Sequence, residues 1–220
     1  MTLVFLSAGC GPPAVGTPSQ ILKKAIEAQG NLNSVRVDID SEIELDIPGG
    51  ARSSLLSYKG FFEKPDRWKL AARSSGEKSD VVIIGQRTWV KLFGSDAWIE
   101  KKAATPLICE SPDDVIASKY LKSARDARLI DRKGDTYHLK FDLNILTFAR
   151  AFNLPGVDPA LLKGKEVHME IWVRKDKLYL EKARMEFASH LSAPVNGNLN
   201  MTQEIEFSNF NDPVSIEPPT

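Results

Sequence analysis

The chain is predicted to be an α+β protein, a long antiparallel curved sheet in the form of an open half-barrel with short helices covering its concave face. Three observations predict it. Between Asn33 and Ile47, Val35, Val37, Ile39, Ile43, Leu45 and Ile47 fall on one parity, and Arg36, Asp38, Asp40, Glu42, Glu44 and Asp46 on the other. Strand side chains point alternately to the two faces, so this segment has one face too charged for a core and one too greasy for water. At ~3.3 Å per residue it spans roughly 45 Å, well beyond an ordinary strand. The second observation is a meander pattern, in which about ten strand-like stretches are separated by short turn-forming interruptions. The third is a shortage of helix: three short helices and a stub. A helix about 10 Å across covers about two strands at ~4.8 Å spacing, so a sheet of this size has to curl to be roofed.

The elements follow in chain order. Met1 to Cys10 reads MTLVFLSAGC, an apolar run, small residues and a cysteine, followed by Gly11-Pro12-Pro13. It resembles a bacterial lipobox, with Ala8 and Gly9 before a Cys10 that would be lipid-modified, although Ser7 stands where the motif usually has Leu. No basic stretch precedes the apolar run, so the signal reads as truncated, and Gly11 to Gly16 reads as a flexible tether. Thr17-Pro18-Ser19-Gln20 is a capping box with Pro at the first helical position, opening a helix that Gly30 closes. Ile21, Leu22, Ala25 and Ile26 form its apolar stripe. After the lead strand come a turn at Pro48-Gly49-Gly50 and strands over Leu55 to Glu63, Arg67 to Arg73, Asp80 to Gly85 and Thr88 to Phe93. Trp68, Trp89 and Trp98 lie near turns and read as lids over sheet edges.

Ser111-Pro112-Asp113-Asp114 starts a second helix. Ala124 to Asp131 and Asp135 to Asp142 form a hairpin turned at Lys133-Gly134, with Leu129, Leu139 and Phe141 as core candidates. A third helix runs from Asn144 to Phe152, and Asp158-Pro159 opens a stub that Gly164 ends. The last quarter returns to strands: Glu166 to Arg174, Leu178 to Phe187 and Asn198 to Phe210, with a tail carrying Val214 and Ile216.

Composition narrows the function. The 220 residues are 42% hydrophobic and carry 29 basic and 29 acidic side chains, a balance that offers a nucleic acid no attractive field. No stretch approaches the ~20 apolar residues of a membrane span, so any membrane link is an anchor or a surface contact. There is no nucleophile elbow, phosphate loop, HExxH or CxxC, no cofactor is implied, and the carboxylate row on the lead strand is what a solvated sheet face looks like. The chain therefore reads as a non-enzyme. His138, His168 and His190 are far apart; His138 and His168 fall out of the apolar phase and read as solvent-facing, with no metal site.

The lipobox-like cysteine, the long strand in "NLNSVRVDIDSEIEL", the meander ending in "VVIIGQRTWVKL", and the closing stretches "VHMEIWVRKDKLYLEKARMEF" and "TQEIEFSNFNDPVSIEPP" resemble the LppX/LprG family of bacterial lipoproteins. That family's fold is similar to the LolA and LolB lipoprotein carriers. The resemblance implies an extracytoplasmic, membrane-anchored protein of the cell envelope, periplasmic or on the outer face of the cell membrane. Its ligand would be a lipid or glycolipid, its membrane link an anchor at Cys10, and its protein partner an envelope transporter or regulatory protein. On this reading residues 1–17 are a truncated lipoprotein signal and tether, and 18–220 one lipid-binding half-barrel domain. Val35, Val37, Ile39, Ile43, Leu45, Ile83, Val90, Ile171 and Val173 are the candidate lining of its cavity. The alternatives are an envelope sensor of the same fold and a structural surface lipoprotein with a filled core.

Overall fold

A computed structural model describes residues 16–74, 76–92, 94–101, 124–132, 134–144, 166–191 and 196–220. The second and third helices and the stub expected after Ser111, beyond Asn144 and at Asp158, as well as Cys10 and Cys109, lie outside the described residues.

One helix, α1 (Pro18–Gly30), is followed by eleven strands. They are β1 (Ser34–Ile47), β2 (Gly50–Glu63), β3 (Arg67–Ser74), β4 (Glu77–Ile84), β5 (Arg87–Leu92), β6 (Ile99–Lys101), β7 (Arg125–Asp131), β8 (Thr136–Asn144), β9 (Glu166–Arg174), β10 (Leu180–Leu191) and β11 (Gly197–Ser208). All belong to a single antiparallel sheet in the order β6-β5-β4-β3-β2-β1-β11-β10-β9-β8-β7. Every pair of successive strands is adjacent in space except β6 and β7, which form the two edges and leave the sheet open. The chain thus builds one wing outward from β1, crosses over, and builds the other wing back towards the centre. β1 is the axis of the sheet, pairing with β2 on one side and β11 on the other.

Local chemistry accounts for most of these elements. In α1, Thr17 Oγ1 accepts from Gln20 N and the Gln20 side chain accepts from Thr17 N, closing the capping box. The helix ends one residue later than expected, with Asn31 rather than Gly30 as the C-cap. Gly49 and Gly50 adopt φ of 115° and 127° at the β1–β2 turn, a region that side-chain-bearing residues avoid. Gly60 sits mid-strand in β2 because a Cβ there would lie 1.9 Å from Lys69 O on β3.

Opposed residues of an antiparallel pair share a face, so the registers sort every strand into two sets. The face carrying Val35 and Val37 also carries Phe62, Trp68, Leu70, Val81 and Ile83 in one wing. In the other wing it carries Phe207, Ile205, Ala183, Ile171 and Leu139. This is the side on which α1 packs, through Ile21, Leu22, Ala25 and the buried Gln29, whose Oε1 accepts from Leu180 N. A single apolar cluster runs along it, fed by α1 and every strand but β6.

The opposite face carries the charged parity, laced by pairs such as Lys182 Nζ to Glu204 Oε1 at 2.6 Å and Lys140 Nζ to Glu170 Oε1 at 3.1 Å. Exposed pairs of this kind add little stability and mainly keep that face wet. It has one apolar island. Val82 and Trp89, with Phe61, Ile84 and Trp98 beside them, are roofed by Val214 and Ile216 of the C-terminal tail.

Trp68 departs from its expected role as an edge lid. It is 2% exposed within the helix-side cluster, its ring 5.0 Å from that of Phe62. The register explains the difference, because Trp68 stands near a turn in sequence but three strands in from the edge strand β6 in space.

Candidate functional site

All nine residues expected to line a cavity lie on the helix-side face and belong to its one apolar cluster. The registers carry the assignment across the sheet. Val37 opposes Gly60, Gly60 opposes Leu70, Leu70 opposes Val81 and Val81 opposes Val90. Ile39 opposes Ile205, Ile205 opposes Ala183 and Ala183 opposes Ile171.

Burial divides the nine. Val35, Val37, Ile171 and Val173 are 0% exposed, so no water-sized space adjoins them. Ile83 and Val90 keep a little surface, and Ile39, Ile43 and Leu45 are only partly buried. The apolar side of β1 is therefore sealed at Val35 and Val37 and only partly buried at Ile39, Ile43 and Leu45, with Ser41 between them 8% exposed. Leu56 and Tyr58 on β2 are likewise partly buried beside it, and burial pushes the Tyr58 hydroxyl above its ordinary range.

The sequence reading missed the large residues that complete this face, among them Phe62, Trp68, Met169, Met185, Phe187 and Phe207, all 4% exposed or less. Met169 and Phe207 stand in the expected apolar phase of their strands but were not among the expected lining residues. Also unforeseen are the polar groups embedded in the face. Gln203 on β11 stands opposite Ser41 on β1, and its Nε2 donates to Ser41 Oγ at 2.9 Å. Trp68 Nε1 and Thr88 Oγ1 are buried without a hydrogen-bond partner.

The opposite face holds a groove of about 910 Å³ lined by Asp40, Glu42, Ser57, Lys59, Arg73, Lys78 and Glu204, with Leu55 among them. Its walls mix the carboxylates and cations of the wet parity with apolar surface, Ser41 and Leu56 of β1 and β2 also border it, and none of the nine expected lining residues does. On the same face His138 is more enclosed than expected. It stacks on Trp172 with ring centroids 4.4 Å apart, and its Nε2 is 2.9 Å from Glu170 Oε2. Burial pulls the Glu170 carboxyl upward, but hydrogen bonds from Lys140 and His138 outweigh it and hold the group below its ordinary range. Among the described residues no three His, Cys, Asp or Glu side chains gather as a metal site, and no helix is long and apolar enough to cross a membrane.

No protein-family model and no curated protein matches the sequence. Solved structures do. The lipoprotein LppX of Mycobacterium tuberculosis superposes with a TM-score of 0.55 at 15% identity, over 91% of this chain and 98% of that one. LprF of Mycobacterium bovis gives 0.54 at 12% identity, over 92% and 96%. A LolA superfamily protein of Nitrosomonas europaea aligns over 93% of this chain and 96% of its own at 12% identity, with a TM-score of 0.34, too loose a match to build on. Identities this low speak to architecture alone, and on architecture the result is plain: over 91% and 92% of its length this chain shares the fold of the mycobacterial proteins LppX and LprF.

Proposed function

We propose that this chain is an extracytoplasmic lipoprotein that binds the acyl chains of a lipid or glycolipid on the helix-side face and carries or presents it at the cell envelope. The observation that carries this reading is the graded burial of that face. A continuous apolar cluster is closed at Val35 and Val37 and left partly uncovered at Ile39, Ile43 and Leu45, with Leu56 and Tyr58 alongside. Each methylene left in water forfeits ~0.8 kcal/mol, so this partly uncovered row gains by covering itself with an apolar guest. A lipid tail with a dozen methylenes needs about 10 kcal/mol of shielding to cross an aqueous gap, and an apolar sheet roofed by helices supplies it. The likeness to the structure of the lipoprotein LppX supports the same reading, as does the lipobox-like segment at Cys10. An anchor there would hold the carrier beside its donor bilayer on a Gly- and Pro-rich tether.

Native mass spectrometry of protein extracted from membranes tests the proposal. A stoichiometric lipid adduct is expected, and a clean apoprotein mass would overturn it. Ile43→Trp, which fills the partly open region, is expected to reduce lipid loading far more than it lowers Tm; equal losses would make the position ordinary core. For the anchor, Cys10→Ala expressed behind a complete signal should move the protein from the membrane to the soluble fraction, and continued membrane retention would rule the anchor out.

A further inference from the structure

The apolar row of β1 is broken once between Val35 and Leu45, at Ser41, and the apolar row of β11 is broken once between Leu199 and Phe207, at Gln203. These two interruptions, 162 residues apart in sequence, stand directly opposite each other on the helix-side face. Both side chains are 8% exposed. Around them are Ile39, Ile43, Met201 and Ile205 along the two strands, and Leu56 and Met185 on the strands to either side.

The pair does not exhaust its own hydrogen bonding. Ser41 Oγ accepts one bond from Gln203 Nε2, which leaves the hydroxyl proton, the second amide hydrogen and Gln203 Oε1 uncommitted among the described residues. Turning the amide over exchanges its two poles but still leaves one of them unspent. Neither residue is among those with a buried polar atom left without a partner, so the remaining capacity keeps access to the surface of this face.

We propose that Ser41 and Gln203 form a hydrogen-bonding site for an uncharged oxygen function, an ester or a hydroxyl, carried on the acyl ligand. The inference rests on the helix-side face being the lipid site. The pair lies among the partly buried Ile39, Ile43 and Leu56 of the same face, where a chain lying against Ile43 brings its first polar atom within reach. Six apolar neighbours on the adjoining strands, with no cation beside them among the described residues, disfavour a carboxylate or phosphate, whose charge would be desolvated without compensation. The site thus selects among neutral lipids and the ester-linked portions of charged ones.

The test compares the full chain with the double variant Ser41→Val/Gln203→Leu. The probes are dodecan-1-ol, methyl dodecanoate and n-dodecane, each displacing a pyrene-labelled acyl probe. The readout is the ratio of affinities, oxygenated ligand over alkane, because differences in aqueous solubility cancel between the two proteins. The double variant is expected to keep or raise the melting temperature and to lower that ratio about tenfold, the worth of one buried hydrogen bond. An unchanged ratio, with all three ligands still bound, would make the pair a structural contact and overturn the proposal while leaving the lipid-site reading intact. Failure of the wild-type chain to bind any of the three would overturn that reading and this proposal with it. If the double variant does not fold, Ser41→Ala with Gln203→Met keeps the volume closer to the original and is read in the same way.

Discussion

The sheet carries two apolar clusters, one on each face, and they differ in how they are closed. The helix-side cluster draws on α1 and nearly every strand, and seals such side chains as Val35, Leu139 and Ile171 at 0% exposure. The cluster on the wet face is an island of Val82, Trp89 and Ile216 with four partly buried neighbours, and its roof is the chain's own tail. That tail is steered across by two asparagines in the left-handed region, Asn209 and Asn211 at φ 53° and 60°. It is pinned by Asn211 N donating to Ser34 O at 2.8 Å and by Ser34 Oγ donating to Asp212 O at 2.6 Å. Further along, Ile216 N donates to Glu63 Oε2 at 2.9 Å and Arg67 NH1 donates to Ile216 O at 3.0 Å. The difference teaches that a strand apolar on both faces need not be central and doubly layered by helices. Val81-Val82-Ile83-Ile84 on β4 is greasy throughout because one parity joins the main cluster and the other waits for twelve residues at the far end of the sequence.

The same substitution in the two clusters gives the largest and clearest contrast. Trp68→Ala is expected to cost about 5 kcal/mol in denaturant unfolding, because its surroundings are fixed by sheet register and cannot collapse into the space. Trp89→Ala, under a tail that can settle and beside an Arg87 guanidinium 4.5 Å from its ring centroid, is expected to cost about 3 kcal/mol. Equal losses would abolish the distinction. Next in size, Ile216→Ala is expected to cost about 2 kcal/mol, with the change confined to the tail. Hydrogen exchange should then show loss of protection at Ile216 N–H while the amides of β1 keep theirs; loss of protection on both would mean that the tail is part of the cooperative core.

The smallest effects are pH-dependent, and the two faces should show them on opposite limbs. On the wet face the Glu170 carboxyl is held below its ordinary value of 4.5, so its contribution is present above that pH and lost as pH falls through the lower folded-state value. Glu170→Gln should flatten the acid limb of the stability profile. On the helix side the Tyr58 hydroxyl is raised above 10.0 by burial, so its contribution is complete below that pH and lost as pH rises through the higher folded-state value. Tyr58→Phe should flatten the alkaline limb alone. A variant that altered the other limb would refute the assignment of that group to its face.

Much of this architecture was legible in the residues. β1 and β9 follow from alternation, α1 from its capping box, and the β7–β8 hairpin from Leu129, Leu139 and Phe141 around a Lys-Gly turn. What was not legible has a common cause. The first five residues of β2, Gly50 to Ser54, are too polar to read as strand, and they become strand by pairing with Ile43 to Ile47. β6 is three residues long and exists only as a partner for β5. The polar pair in the candidate site was invisible because Ser41 and Gln203 each look like a single lapse in an apolar row until the register sets them face to face.

By itself the sequence determined most of the strands, which parity of each is greasy, and where the chain turns, because side-chain alternation and turn stereochemistry act over a few residues. Only the tertiary structure decided which strands became neighbours across the fold, which end of β1 was sealed, that a remote tail would roof the second cluster, and that two separate polar residues would meet. Those outcomes depend on hydrogen-bond register and burial between segments up to 178 residues apart, and no local pattern encodes a distance of that kind.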